Sequence, residues 1–423
     1  MPRPLRDSLY IYGFHDPGGE QHMLDLGVPG WVLVTEAIGF NPTDQSGADY
    51  RRFSDRDLGV IVRLNAGYNP TGTLPPSQFY ADFARRCANF VRASSGAHIW
   101  IIGNEPNHPI EWPGSDWNWN LPWPQPKSPD RRGEEITPAR YADAYRRARA
   151  AIKAVPGHEN DQVLVAGPAP WNILLTYPGN PNGDWVFYLR DTLAAIGGSE
   201  GARNLDGISL HAYTHGSAAD LIRSEEKMGD ARFANRRFHF RVYQDFMAVI
   251  PESMRHLPIY ITESNQGDQA WENRNTGWVR AAYGEIDAWN RANREKIRAL
   301  LLYRWPQVAG DRWGIDGKAA VIEDFRQALA ARYQWAVEED ASAILERKVS
   351  ELEQVAAALQ PAIAALAAPV AAAARLRQEA ATLATEASGL QPTALRAQYD
   401  ALAAQVKQLE DALGGLPEEP GGR

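Results

Sequence analysis

The stretch His98-Ile99-Trp100-Ile101-Ile102-Gly103-Asn104-Glu105-Pro106-Asn107 decides how the rest of this chain is read. Ile99 to Gly103 form a short apolar or small run with β-branched members, which suits a strand buried on both faces. The run ends abruptly in an amide and a carboxylate, and Pro106 stops it because proline cannot donate to a ladder. A second stretch of the same build follows at Ile259-Tyr260-Ile261-Thr262-Glu263-Ser264-Asn265. Each of two buried strands delivers a glutamate at its carboxyl end, where α/β barrels keep their chemistry.

Outward from these two, eight apolar runs occur between residue 9 and about 306: 9–14, 30–35, 59–64, 98–103, 162–167, 207–211, 257–262 and 298–305. Helical patterns lie between several of them, at 77–91, 138–154, 185–196, 237–250 and 276–294, with a shorter segment around 44–58. Strand and helix alternating eight times predict a (β/α)8 TIM barrel over 1–336. An open doubly wound sheet is the alternative. It should carry a glycine-rich phosphate turn after its first strand, and Gly13-Phe14-His15-Asp16-Pro17-Gly18-Gly19 does not match that fingerprint.

The runs end in polar or aromatic residues: His15 and Asp16, Glu36, Arg63 and Asn65, Asn104 and Glu105, Trp171 and Asn172, His211 and Tyr213, Glu263 and Asn265, Arg304 and Trp305. Any one of them taken alone reads as a rim residue in a structural hydrogen bond. Eight such ends around one barrel predict a shared site. The loop after the fourth run, roughly 106–136, carries Trp112, Trp117, Trp119 and Trp123, with Pro109, Pro113, Pro122, Pro124, Pro126 and Pro129. Prolines restrict its conformations, and indole faces suit the apolar faces of sugar rings. At least one of the four tryptophans is therefore expected to line the groove, the bland reading being that they pack the loop onto the barrel.

From 337 to 414 the chain turns rich in Ala, Leu, Glu, Gln and Arg, and apolar residues such as Leu345, Val349, Leu352 and Ala356 recur at spacings of four and three. That is a heptad seam. Pro361, Pro369 and the Gly389-Leu390-Gln391-Pro392 break cut it, so an all-α helical hairpin or small coiled-coil bundle is expected there. Residues 415–423, rich in Gly and Pro, read as a disordered tail.

Composition narrows the class. Hydrophobic content of 44% and charged content of 23% are globular values that supply a large core. A net charge of −8 argues against a nucleic-acid partner. The single cysteine, Cys87, rules out an intrachain disulfide and a cysteine metal site, and its helical setting suits a small buried hydrophobe. Met1-Pro2-Arg3-Pro4-Leu5-Arg6-Asp7 has no apolar core for a secretion signal, and no run of 18 apolar residues predicts a membrane span. The expected location is cytoplasmic; a secreted chain trimmed of its leader would look the same.

Two carboxylates facing each other on a barrel rim are what glycoside hydrolysis needs. One must be protonated to assist the leaving oxygen, and the other ionised to attack the anomeric carbon or activate water. Arg63, His211 and Tyr213 would set those states, since a cation or donor beside a glutamate holds it ionised. The spacing alone does not say which glutamate is which.

Asn104-Glu105-Pro106 at the end of a fourth strand and Ile261-Thr262-Glu263 at the end of a seventh resemble the signatures of glycoside hydrolase clan A, the retaining (β/α)8-barrel glycosidases such as cellulases and xylosidases. The resemblance covers about residues 9 to 335. It implies that Glu105 is the general acid/base, Glu263 the nucleophile, and Asn104 the holder of the hydroxyl next to the anomeric carbon. In Leu210-His211-Ala212-Tyr213, His211 and Tyr213 match the strand-six positions, where the tyrosine hydrogen-bonds the nucleophile. Trp305 matches the strand-eight tryptophan that floors the sugar subsite. Arg63 sits on the third run, whereas the clan's arginine near the nucleophile is often placed on strand two. The implied activity is retaining hydrolysis of a β-linked oligo- or polysaccharide, with carboxyl groups about 5 Å apart and neither metal nor cofactor. No single family is matched closely enough to name a sugar.

Three other readings stand beside this one. A catalytically inactive carbohydrate-binding barrel with a helical oligomerisation module is countered by the presence of both glutamates. An assembly protein acting through its heptad segment would self-associate there. A metalloenzyme fares worst: His211 and His215 are four apart, but on a strand end and loop without the His-Glu-x-x-His form.

Overall fold

Eight parallel strands close into a barrel, each paired with its neighbours in sequence and the last with the first. They are β1 (Tyr12–His15), β2 (Trp31–Ala37), β3 (Gly59–Asn65), β4 (Ile99–Ile102), β5 (Gln162–Val165), β6 (Gly207–His211), β7 (Ile259–Ser264) and β8 (Ile297–Leu302). Between and after them run α1 (Glu20–Asp25), α2 (Arg51–Ser54), α3 (Tyr80–Ala93), α4 (Pro138–Lys153), α5 (Trp185–Gly197), α6 (Val242–Ala248), α7 (Trp278–Ala292) and α8 (Ala319–Leu329). Each apolar run read from the sequence supplies one strand of this (β/α)8 barrel. A computed structural model describes residues 7–267, 270–309, 312–336, 374–379, 381–382, 400, 404 and 407. The chain divides into two compact units, Met1–Val337 and Glu338–Arg423. In the second, residues 374–379 are helical; the rest of the expected heptad region and the 415–423 tail lie outside the described residues, a few isolated positions apart.

The strands form where burial on both faces rewards continuous apolar sequence: all seven residues of β3 are buried, Arg63 included. The helices bury one face. In α3, Phe83, Cys87, Phe90 and Val91 turn inward while Arg85 and Arg92 stay in water. α4 starts at Thr137, whose hydroxyl accepts from the Arg140 N–H, with Pro138 in the first turn, where its missing N–H costs nothing. Inside the barrel, Trp31 of β2 and Tyr260 of β7 meet edge to face at 5.4 Å although their strands are not neighbours. The lumen is thus filled by side chains and is no pore. A Cβ on Gly59 would stand 2.3 Å from the Trp31 ring, which is why β3 opens with a residue that has no side chain.

The two ends of the barrel unit clasp each other. The Ile11 N–H donates to Tyr333 O, the Trp335 N–H to Leu9 O, and the Tyr12 hydroxyl to Ala328 O. The expected helix over 237–250 is shorter, confined to α6. Its first residues are diverted because the Arg237 N–H and guanidinium both bind the Asp245 carboxylate, at 2.7 and 2.5 Å, which holds this segment outside the helix. Within the tryptophan loop, Trp117–Asn118 and Gln125–Pro126 pair as two short antiparallel strands. No described helix is long and apolar enough to cross a membrane.

At the base of the barrel, one buried carboxylate ties β4 to β5. Asp161 Oδ1 lies 2.6 Å from His98 Nδ1, and its Oδ2 accepts from Trp100 Nε1 at 2.6 Å and lies 2.7 Å from His158 Nδ1. Two ligands of one tetrahedral zinc, each at about 2.0–2.1 Å, would stand more than 3 Å apart, so these are hydrogen bonds. Burial pushes the Asp161 carboxyl up, and the hydrogen bonds of His98, Trp100 and His158 outweigh it and hold it below its usual value. A depressed carboxyl stabilises the fold above its unfolded pKa of about 3.9 and loses that contribution as pH falls through its folded value. Asp161→Asn is therefore expected to cost about 2–4 kcal/mol at pH 7, with the gap to the parent chain closing below about pH 4; denaturant unfolding across pH 3–7 measures both.

Candidate active site

The carboxyl ends of the strands open into a cleft of about 570 Å³, within the range of small-molecule sites. Glu105 enters it one residue past the Gly103-Asn104 turn, with φ +34°, and Gly103 takes φ +78°. Five non-glycine residues have positive φ among the described residues, and three of them, Asp16, Glu105 and Trp171, line the cleft. Strained backbone gathered at one place marks a site the rest of the fold holds rigid.

Glu263 arrives by a different device. Leu210 pairs with Ile261 but His211 with Glu263, and Leu300 pairs with Ile261 but Leu302 with Ser264. Against both neighbours, β7 carries one extra residue around Thr262–Glu263. Such a bulge kinks the strand and re-aims a side chain. It brings a Glu263 oxygen within 4.8 Å of oxygen and nitrogen atoms of Glu105 and His211.

Around Glu263 the partners converge from three strands. Arg63 Nη1 of β3 donates to Glu263 Oε1 at 2.6 Å, and the Tyr213 hydroxyl donates to Oε2 at 2.9 Å. His15 Nε2 of β1 and His211 Nε2 of β6 stand 3.6 and 3.8 Å from Oε1. Burial alone would push the Glu263 carboxyl up; His211, Arg63 and His15 outweigh it and hold it well below the usual carboxylate range. Burial also opposes the charge on Arg63, which Glu263 restores, so that its pKa stays above the usual value. First burial, then the charges of Glu263 and Glu105, push the Tyr213 phenol far up and keep it a donor. The environment of Glu105 differs: His211 Nδ1 lies 2.7 Å from its Oε1, and the Tyr213 hydroxyl 3.4 Å away. One glutamate is thus firmly ionised, and the other borders an imidazole and open cleft. Glu105, His211 and Glu263 are spaced closely enough to share a cation, but a divalent ion there would face the buried Arg63 guanidinium.

Of the residues read from the sequence, Arg63, Asn104, Glu105, Tyr213 and Glu263 line the cleft, and His211 lies directly behind it, fully buried. Trp305 does not, so the expectation that it floors a sugar subsite is corrected. β8 ends at Leu302, and strand alternation no longer sets side-chain direction three residues later. Trp305 is anchored by its N–H to His15 O, and its ring is wedged against Phe14, His22, Gly18 and Gly19. Tyr303 and Trp313 line the cleft instead. None of the four loop tryptophans lines it either. Trp112 and Trp117 are buried, with their indole N–H groups on Pro106 O and Arg132 O, while Trp119 and Trp123 face water. The aromatic wall is built by Trp171, tilted against His215 at 4.4 Å, which itself stacks at 4.0 Å on Phe238. Glu111 also reaches the cleft; it sits in an irregular turn where no periodicity singles it out.

No family model and no curated protein matches the chain. Solved structures similar to it include a family 39 glycoside hydrolase from Bacteroides cellulosilyticus WH2, at 14% identity and a TM-score of 0.44 over 78% of this chain and 63% of that one. This chain thus spans less than two thirds of that protein's length. A β-glucosidase from Exiguobacterium marinum is 15% identical over 74% of this chain and 85% of its own, with a TM-score of 0.43. An endoglucanase from Pseudomonas stutzeri is 14% identical over 79% and 97%, with a TM-score of 0.42.

Removing one partner of a buried ion pair leaves the other charge uncompensated. In Arg63→Met the Glu263 carboxyl should titrate at higher pH than in the parent chain, read by carboxyl ¹³C NMR. The variant should also lose about 3–5 kcal/mol at pH 7, a loss that shrinks as acid protonates Glu263.

Proposed function

We propose that the chain is a retaining glycoside hydrolase that cleaves a β-linked glycan by double displacement. The observation that carries this reading is that one carboxyl oxygen of Glu105 lies within 4.8 Å of one of Glu263. Retaining enzymes hold their carboxyl groups about 5–5.5 Å apart, and inverting ones about 6.5–9.5 Å to admit a water between.

In the first step Glu263 attacks the anomeric carbon while the glycosidic C–O bond breaks and the Glu105 proton passes to the leaving oxygen. In the second, Glu105 takes a proton from water, whose oxygen bonds the anomeric carbon as the ester to Glu263 breaks. Arg63 and Tyr213 suit the first role of Glu263, since they stabilise it as a carboxylate between turnovers. The wall of Trp171 and His215, with Tyr303 and Trp313 on the lining, suits the apolar faces of sugar rings. The substrate in this reading is an oligo- or polysaccharide, and the heptad-patterned region beyond 337 serves self-association.

A panel of aryl β-glycosides and soluble β-glucans, mannans and xylans tests the activity. NMR of the first product should show the β-anomer; the inverted anomer, or a chain that binds glycans without turnover, would refute the mechanism. Glu263→Ala should abolish turnover on every substrate. Glu105→Ala should lose on the order of 10²–10⁴-fold on poor leaving groups, little on good ones, and regain rate with azide. A chain ending at residue 337 should cleave as the full chain does but lose its self-association by light scattering.

A further inference from the structure

A third carboxyl group stands in the cleft, and the two-glutamate chemistry does not use it. Glu111 ends the 3₁₀ turn Pro109–Glu111, a few residues past Glu105. Its backbone is pinned on both sides: its N–H donates to His108 O and its carbonyl accepts from the Thr73 N–H, both at 2.9 Å. From this fixed base its side chain reaches the cleft, where Oε1 accepts from Asn104 Nδ2 at 3.2 Å. The other end of that amide is unsatisfied. Asn104 Oδ1 is buried and has no hydrogen-bond partner among the described residues, a state that costs about 1–3 kcal/mol if nothing fills it. The amide belongs to the residue beside the acid/base and lines the same cleft.

We propose that Glu111 is a positioning residue of the hydrolysis: by holding Asn104 Nδ2 it turns Asn104 Oδ1 toward the sugar, to accept a hydrogen bond from the hydroxyl beside the anomeric carbon. This rests on the glycosidase reading above. An amide with both ends free can turn either end outward; with Nδ2 held by Glu111, Oδ1 is fixed at the other end. The site then favours a sugar carrying a hydroxyl at that carbon. Bonds to this hydroxyl strengthen in the transition state, so the loss should fall on kcat more than on KM.

The charge state of Glu111 suits this role. The charged groups facing it are Glu105, Glu263 and Arg63, with the Tyr68 phenol nearby. Burial, then the Glu105 charge, push its carboxyl up to about 8, against the Asn104 hydrogen bond and Arg63. At neutral pH it is uncharged. It offers an oxygen to Asn104 without placing a second negative charge beside Glu105, and a glutamine can imitate it.

The test uses the full chain, the best aryl β-glycoside of the panel and its 2-deoxy analogue. Glu111→Ala should lower kcat on the parent sugar by about 10- to 100-fold, the scale of one transition-state hydrogen bond, and on the 2-deoxy sugar by less than about threefold. Glu111→Gln should restore the parent rate to within about threefold at pH 6–7. Asn104→Ala should show the same dependence on the hydroxyl, and adding Glu111→Ala to it should cost little more, which keeps the test open if Glu111→Ala alone folds poorly. Equal losses on both sugars, a glutamine variant as poor as the alanine, or additive losses in the double variant would overturn the inference. A parent chain that cleaves no glycoside of the panel overturns the function reading and this one with it; an active parent with the wrong variant pattern overturns this one alone.

Discussion

The buried pair of Arg63 and Glu263, 2.6 Å apart, is the constraint on which the rest of the site depends. A lone charge in that position would carry a desolvation cost of several kcal/mol. The two offset each other only if β3 and β7 face across a closed barrel. The closure that brings them together also delivers His15 from β1 and His211 from β6 to the same carboxylate. The pair therefore ties chemistry to topology: an open sheet of the same strands would leave each charge stranded. It also sets the two glutamates apart, because Glu263 takes the guanidinium while Glu105 borders an imidazole and the open cleft.

The barrel supplies rigidity in two ways. Its base is filled by Trp31 and Tyr260, while Trp100 meets Phe90 of α3 and gives its indole N–H to Asp161. Its rim carries departures from regular backbone, the extra residue of β7 and the positive φ values of Asp16, Glu105 and Trp171. A regular strand can aim side chains only in two opposite directions. A site that needs a carboxylate, a guanidinium, a phenol and an imidazole to converge has to break that rule, and it does so at the rim, where the fold below is stable enough to hold the strain.

Aromatic residues show the same division between support and function. Trp112 and Trp117 give their N–H groups to backbone carbonyls and brace the long loop. Trp171, Tyr303 and Trp313 come from other loops and form the lining. A count of tryptophans in a loop does not distinguish these uses, since indole suits both a packed core and a sugar face.

What the sequence determined by itself was whatever depends on neighbours along the chain. Runs such as 99–102 and 259–261 are apolar throughout, so their burial as parallel strands, their alternation with helices and the placing of Glu105 and Glu263 near strand ends were all legible. So was the local resemblance carried by Asn104-Glu105-Pro106. What only the tertiary structure decided was direction and company. That Arg63 reaches Glu263 from β3, that β7 bulges, that Trp305 turns away to pack on Phe14 while Tyr303 takes the cleft, and that Glu111 meets Asn104 are outcomes of contacts between distant segments. Beyond the last ladder bond, the period of two that fixes side-chain direction in a strand no longer applies, and packing against the rest of the barrel sets it instead.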